Sequence, residues 1–105
     1  EIVAAPKDAP LTYRPFDCST QSLQAPVTLL PTSLTIVEGS YSHHPALGDY
    51  ADLKVFSSVD ADEQMARILR RNGERMAEMF RTRWIPMEEC YFNHFDIRSQ
   101  ADLVL

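Results

Sequence analysis

The 105-residue sequence has only two cysteines and no long apolar run. Cys18 and Cys90 stand far apart, in neither a Cys-x-x-Cys pair nor a Cys/His spacing, so the sequence indicates no zinc site and no disulfide framework. We interpret both as reduced thiols of a cytoplasmic protein. No stretch approaches the roughly 18 consecutive apolar residues of a membrane span, and we find no signal segment. These absences predict a soluble intracellular protein without a membrane partner.

Basic residues are outnumbered, with 10 Lys and Arg against 15 Asp and Glu and a formal net charge of −5. Neutralising a nucleic-acid backbone requires a basic face, so we expect no nucleic-acid partner. The basic residues are nevertheless unevenly distributed, which predicts a local anion site. Six arginines fall within seventeen positions: Arg67, Arg70, Arg71, Arg75, Arg81 and Arg83.

Glycine is scarce as well, with Gly39, Gly48 and Gly73 the only three. They cannot form the G-x-x-x-x-G-K-[ST] loop whose backbone amides and lysine hold nucleotide phosphates. The first residue is Glu1 rather than methionine, and we interpret the chain as part of a longer polypeptide. The composition is otherwise that of an ordinary globular protein, and 105 residues allow one small domain.

The segment 11–31 is punctuated by prolines. Pro15, Pro26 and Pro31 divide it into short stretches, TYRPFD and APVTLL, around the polar run Ser19-Thr20-Gln21-Ser22. This pattern predicts a β-hairpin near the N-terminus.

Two further strands are predicted in the segment 34–105. The β-branched run Leu34–Val37 ends at Glu38-Gly39, which favours a buried strand that delivers an acid at its carboxyl end. The segment 40–52 is either a loop or a short helix around 45–50. Leu53–Val59 again has strand composition, and Asp60 follows as a helix N-cap.

The remaining sequence is helical in pattern, with Gly73 predicted as a C-cap and Pro86 predicted to start a new helix or to kink the old one. Strand, helix and strand in this order predict a parallel α/β sheet with flanking helices. Apolar positions at helical spacing form the expected core: Met65, Ile68, Leu69, Met76, Met79, Phe80, Trp84, Met87, Tyr91 and Phe95.

Four segments together resemble the second half of uridine kinase-like proteins in both order and spacing. They are TIVEGSY from Thr35, DLKVFSSVDADEQMARILRRNG from Asp52, WIPMEECYF from Trp84 and ADLVL from Ala101. The hairpin stretch TYRPFDCST falls where that family places its substrate hairpin. The resemblance covers 11–105 and implies part of a phosphate-loop NTPase-type parallel sheet, in a kinase that uses ATP and Mg²⁺ and is related to phosphoribulokinase. Its phosphate-binding loop and catalytic aspartate would precede these residues.

The resemblance also implies roles for particular residues. Glu38 would help to hold magnesium and the nucleotide, directly or through water. Tyr13, Phe16 and Asp17 would lie on the hairpin that closes over a nucleoside acceptor. Arg67, Arg70 and Arg71 would stabilise charge on the transferring phosphoryl group. Arg67 would also face the acceptor, and Arg71 would also face the nucleotide.

Alternatives stay open at this point. The family places a histidine after the hairpin aromatic, whereas this chain has Cys18, Ser19 and Thr20. Uridine is therefore one candidate acceptor, and a phosphoribulokinase-like acceptor is another. The second hypothesis is a non-catalytic kinase-like module that binds or regulates a partner.

We also expect self-association through exposed sheet edges. We interpret His43 and His44 as loop residues rather than metal ligands, because adjacent residues on an extended chain point oppositely.

Overall fold

The computed structural model describes residues 6–105, which divide into two compact units at Gly39 and Ser40. The first unit holds a β-hairpin. The second, Ser40–Leu105, combines helices with one pair of parallel strands. The fold is thus mixed α/β, with small sheets. No helix in the described part is long and apolar enough to cross a membrane.

The hairpin consists of two successive antiparallel ladders. Strand β1 (Leu11–Tyr13) pairs with β4 (Val27–Leu29), and β2 (Phe16–Asp17) pairs with β3 (Ser22–Leu23). The predicted hairpin is therefore confirmed, with its turn in the polar run that follows Asp17.

The ladders are separate because prolines interrupt them. Pro15 and Pro26 have no N–H to donate, so pairing stops between β1 and β2 and between β3 and β4. Arg14 spans the gap by donating from Nε to the Gln24 carbonyl at 2.9 Å and from Nη2 to the Leu23 carbonyl at 3.3 Å. The Gln24 N–H donates to the Pro15 carbonyl at 2.7 Å. These bonds join the two ladders into one hairpin.

The predicted strand at Leu34–Val37 is wrong. These residues form neither helix nor strand, and Leu34 and Ile36 are 73% and 82% exposed. Strand formation requires a hydrogen-bonded neighbour, and the described residues supply none beside this segment. The apolar, β-branched composition that predicted a strand is therefore not enough to form one here.

The parallel pair lies in the second unit and has a different partner from the one predicted. Strand β5 (Val55–Phe56) pairs in parallel with β6 (Leu103–Val104), with Val55 opposite Leu103. The predicted strand at Leu53–Val59 is thus confirmed in shorter form. Before it, a 3₁₀ helix spans Pro45–Leu47, so the short-helix alternative holds for that part of 40–52.

Helix α1 spans Ala61–Met79 and begins at the predicted cap. Asp60 Oδ1 accepts from the N–H groups of Asp62 at 2.9 Å and Glu63 at 3.4 Å. Gly73 has φ 79° and ψ 171°, so it interrupts the helix where a C-cap was predicted. A glycine suits this position because residues with a side chain rarely adopt a positive φ.

The helical region continues through a π-helix at Phe80–Trp84 into α2 (Ile85–His94). Pro86 lies in the first turn of α2, so the hydrogen-bonding pattern of the helical region changes at the predicted place without a break in helical backbone. Proline cannot donate to the carbonyl four residues earlier, and the wider π-turn before it accommodates that loss.

The buried residues among those described all belong to the second unit. They are Ile68, Ala77, Tyr91 and Ile97. Most of the predicted apolar positions are buried or half-buried, although Met79 and Met87 are 37% and 54% exposed. The predicted helical stripes therefore form the small core of this unit.

Candidate functional site

The tip of the hairpin is organised by Asp17. Its Oδ1 accepts from the Ser19 hydroxyl at 2.6 Å, the Ser19 N–H at 2.8 Å and the Thr20 N–H at 3.4 Å, and its Oδ2 accepts from Gln24 Nε2 at 3.2 Å. The Ser19 hydroxyl is the largest cause of a lowered pKa at Asp17. The carboxylate is therefore ionised near neutral pH and holds the turn as an Asx-type motif.

The two predicted aromatic residues lie close by on the same hairpin. Tyr13 is half-buried opposite Val27, whereas Phe16 lies opposite Leu23 and is 56% exposed. An exposed phenyl ring beside a fixed turn can offer a face for stacking against a planar ligand. The hairpin thus brings Tyr13, Phe16 and Asp17 together, as expected of one element.

Glu38 is exposed and makes no hydrogen bond or ion pair with the described residues. Its carboxylate therefore remains available as an oxygen ligand. No group of three or more His, Cys, Asp or Glu in residues 6–105 could hold a metal ion. One carboxylate is nevertheless compatible with magnesium, which often takes only one or two protein ligands and completes its shell with phosphate oxygens and water.

The three predicted arginines lie on α1 before the break at Gly73, and all are exposed. Arg67 Nε donates to Glu63 Oε1 at 2.7 Å, and Arg71 Nε donates to Asn72 Oδ1 at 2.8 Å. Arg70 has no partner among the described residues. Because positions three and four residues apart share one helix face, Arg67, Arg70 and Arg71 form a positive face whose terminal NH₂ groups remain available.

Sequence reasoning missed the role of His44. Its Nδ1 accepts from the Ala46 N–H at 3.0 Å and caps the 3₁₀ helix, and its ring stacks on Tyr91 at 5.7 Å and meets Phe95 edge-on at 4.9 Å. Ser40 Oγ donates to Glu88 Oε1 at 2.8 Å and fixes the same segment to α2. The one sequence signal was Pro45, since proline is over-represented at the first position of a helix.

Comparison of this chain with protein-family models, with curated proteins and with solved structures gives no match in any of the three. The likeness to uridine kinase-like proteins therefore stays a hypothesis drawn from the sequence. The site residues carried by that likeness also stay predictions.

Proposed function

We propose that these 105 residues form the acceptor-binding and charge-stabilising part of a cytoplasmic, ATP-dependent kinase of the uridine kinase type. In this proposal the phosphate-binding loop comes from residues outside the chain, so the chain alone is inactive. The acceptor is a nucleoside or a similar sugar-bearing molecule with a reactive hydroxyl. The transferred group is the γ-phosphoryl of ATP.

The order of the elements is the observation that carries the proposal. A hairpin with an exposed aromatic ring at Phe16 comes first, and a β–α–β unit follows, in which α1 carries three arginines directly after β5. Phosphoryl transfer demands positioning and charge stabilisation more than covalent chemistry from the protein. In the proposal the hairpin ring would help to position the acceptor, and the positive helix face would stabilise charge.

Each residue then has a distinct task. Phe16 and Tyr13 would hold the acceptor base while Asp17 keeps the hairpin turn in shape. Guanidinium groups can bind phosphate oxygens through two parallel hydrogen bonds, so Arg67, Arg70 and Arg71 would stabilise the negative charge that develops on the phosphoryl group. Glu38 would hold magnesium, which neutralises phosphate charge when bound.

The test uses the complete polypeptide encoded by the gene, with transfer of labelled γ-phosphate from Mg²⁺-ATP measured over a panel of nucleosides and sugar phosphates. We expect a nucleoside to be phosphorylated. Glu38→Gln should lower turnover by about 10–100-fold, the range seen when supporting groups of a metal site are lost. Arg83→Gln is the control, because Arg83 is exposed, has no described partner and is not among the arginines assigned a role in the proposal.

Each of three results would change the proposal in a different way. No transfer to any acceptor would favour the non-catalytic binding module instead. Unchanged magnesium-dependent turnover in Glu38→Gln would remove Glu38 from the site while leaving the kinase assignment standing. Preference for a sugar phosphate over every nucleoside would favour the phosphoribulokinase-like acceptor.

A further inference from the structure

A cleft of about 350 Å³ lies within the second unit. One wall is the segment that carries the 3₁₀ helix, the base is β5, and the other wall is the turn after α2. Its volume falls within the roughly 300–1,000 Å³ typical of small-molecule sites. The lining residues that matter to the argument are His43, Asp49, Lys54, Phe56, Ile97 and Gln100.

The apolar part of the cleft is held in place by its neighbours. Ile97 is only 5% exposed, and the Phe56 ring packs edge-on against Phe92 with a centroid distance of 5.3 Å. The Arg98 guanidinium lies 5.9 Å from the centroid of the same ring. Phe56 and Ile97 thus form a fixed apolar surface that suits a flat hydrocarbon body.

The lining offers hydrogen-bond acceptors that no described residue uses. Asp49 Oδ1 binds Lys54 Nζ at 2.6 Å, which leaves Oδ2 without a partner among the described residues. Gln100 Nε2 donates to the Phe95 carbonyl at 2.6 Å, which leaves the amide oxygen unused. The His43 imidazole also has no described partner.

The one ammonium group in the lining is already engaged. Lys54 Nζ is bound to Asp49, and its hydrogen bond to that carboxylate raises the pKa of Lys54. The Lys54 side chain is 28% exposed, whereas that of Asp49 is 80% exposed, so the carboxylate is the more accessible partner. A cationic donor can add to the open oxygen of Asp49. An anionic ligand could use the two remaining N–H groups of Lys54 only beside the exposed Asp49 carboxylate, which would repel it.

We propose that this cleft binds a small organic cation of the amidinium or protonated-amine class with a flat apolar body. The body packs on Phe56 and Ile97, and the charged group donates to Asp49 Oδ2 and the Gln100 amide oxygen. This proposal uses none of the residues assigned to phosphoryl transfer, so it stands or falls separately from the kinase assignment.

Benzamidine is the probe, with benzamide as its uncharged isostere and benzoate as its anionic counterpart. Each is titrated into the ¹⁵N-labelled 105-residue chain while backbone amide shifts are followed. We expect saturable shifts at Gln100 and Ala101, with benzamidine binding about tenfold more tightly than benzamide, which corresponds to one charge-assisted hydrogen bond. Equal or tighter binding of benzoate, or no saturable shift, would overturn the proposal.

Two substitutions should change the affinity in opposite directions, which a general loss of structure would not do. Asp49→Asn should weaken benzamidine binding by about tenfold because the carboxylate charge is lost. Lys54→Met should tighten binding, because it retains the apolar stem and removes the ammonium that competes for Asp49. Dispersed amide spectra of both variants would verify that they fold.

The matched controls are Glu74→Gln and Arg83→Met, which make the same charge changes at exposed positions outside the cleft. Both should leave the affinity unchanged. If Arg83→Met raised the affinity for benzamidine as much as Lys54→Met does, net charge alone would govern binding. The proposed cleft contact would then be wrong.

Discussion

At the scale of single residues, Tyr91 is buried although its hydroxyl lacks a hydrogen-bond partner among the described residues. The residue is 7% exposed. Burial is the largest cause of its raised pKa, with Tyr41 and Tyr50 contributing further. The ring itself packs well, with Tyr41 at 4.8 Å and Phe92 at 5.2 Å between centroids. The ring therefore stabilises the unit while the hydroxyl costs free energy.

We predict that Tyr91→Phe leaves the free energy of unfolding unchanged or raises it by about 1 kcal/mol, because the substitution removes a buried unsatisfied hydroxyl and keeps the ring. Tyr91→Leu should lower it, since the aromatic contacts are lost. Urea denaturation followed by circular dichroism measures both changes. A loss above about 1 kcal/mol in Tyr91→Phe would mean that the hydroxyl is hydrogen-bonded.

Asp17 gives the hairpin a defined response to pH. Its pKa in the folded hairpin is lowered, first by the Ser19 hydroxyl, so its contribution to turn stability is complete above the ordinary Asp pKa of about 3.9. That contribution is lost as the pH falls through the lowered pKa, because the protonated group accepts these bonds poorly.

We expect the Ser19 and Thr20 amide resonances to keep their neutral-pH positions near pH 5 and to move toward random-coil values at lower pH. An NMR titration from pH 6 to pH 2 measures this change. Asp17→Asn is the comparison, since its amide oxygen can still accept but does not titrate in this range. Equal movement in both proteins would exclude Asp17 as the cause.

At the scale of elements, Gly73 divides the arginine-bearing part of α1 from its remainder. Its φ of 79° and ψ of 171° belong to a region that residues other than glycine scarcely adopt. An added Cβ would meet no atom within 4 Å beyond its immediate chain neighbours. The demand for glycine is thus local to the backbone and does not come from tight packing.

We predict that Gly73→Ala lowers the free energy of unfolding by about 1–3 kcal/mol, the usual cost of a residue in such a conformation. Chemical denaturation gives the value, and Glu74→Ala, at the adjacent exposed position, is the control. Increased stability together with increased helicity in Gly73→Ala would show that the helix can continue through this position.

Some of the helices and strands could be predicted from the sequence, and others could not. Asp60 and Gly73 were predicted correctly because capping and positive φ depend on chemistry within a few residues. Leu34–Val37 was predicted wrongly because a strand depends on a neighbour that local composition does not specify. The partner of β5 came from the far end of the chain, and a pairing of two residues leaves almost no pattern in the sequence.

The candidate site was predictable only in part for a similar reason. The arginine face follows from helical spacing, and the exposed Phe16 follows from its place on the hairpin. The cleft at Asp49 and Lys54 was missed, because its walls come from segments some fifty residues apart. Such a juxtaposition depends on tertiary packing rather than on a local motif.

At the scale of the whole molecule, charge and composition limit what this chain can bind alone. The net charge is −5, so the arginine face is a local exception in an acidic protein. Arg67 is ion-paired with Glu63, and Arg81 is ion-paired with Glu78. An exposed ion pair with a guanidinium group usually contributes about 1 kcal/mol or less to the free energy of the interaction. A strong phosphate site would also need converging backbone amides, which the sequence does not provide as a glycine-rich loop.

We therefore predict that the 105-residue chain binds Mg²⁺-ATP no more tightly than about 1 mM, equivalent to roughly −4 kcal/mol. Isothermal calorimetry at low ionic strength measures this affinity, and repeating it at higher salt should weaken it further because exposed charges are screened. In Arg70→Gln the residual binding should decrease, since Arg70 is the arginine of the proposed face that has no partner among the described residues. Arg83→Gln should bind as the unsubstituted chain does. Micromolar affinity would contradict the prediction and would place a complete nucleotide site within these residues.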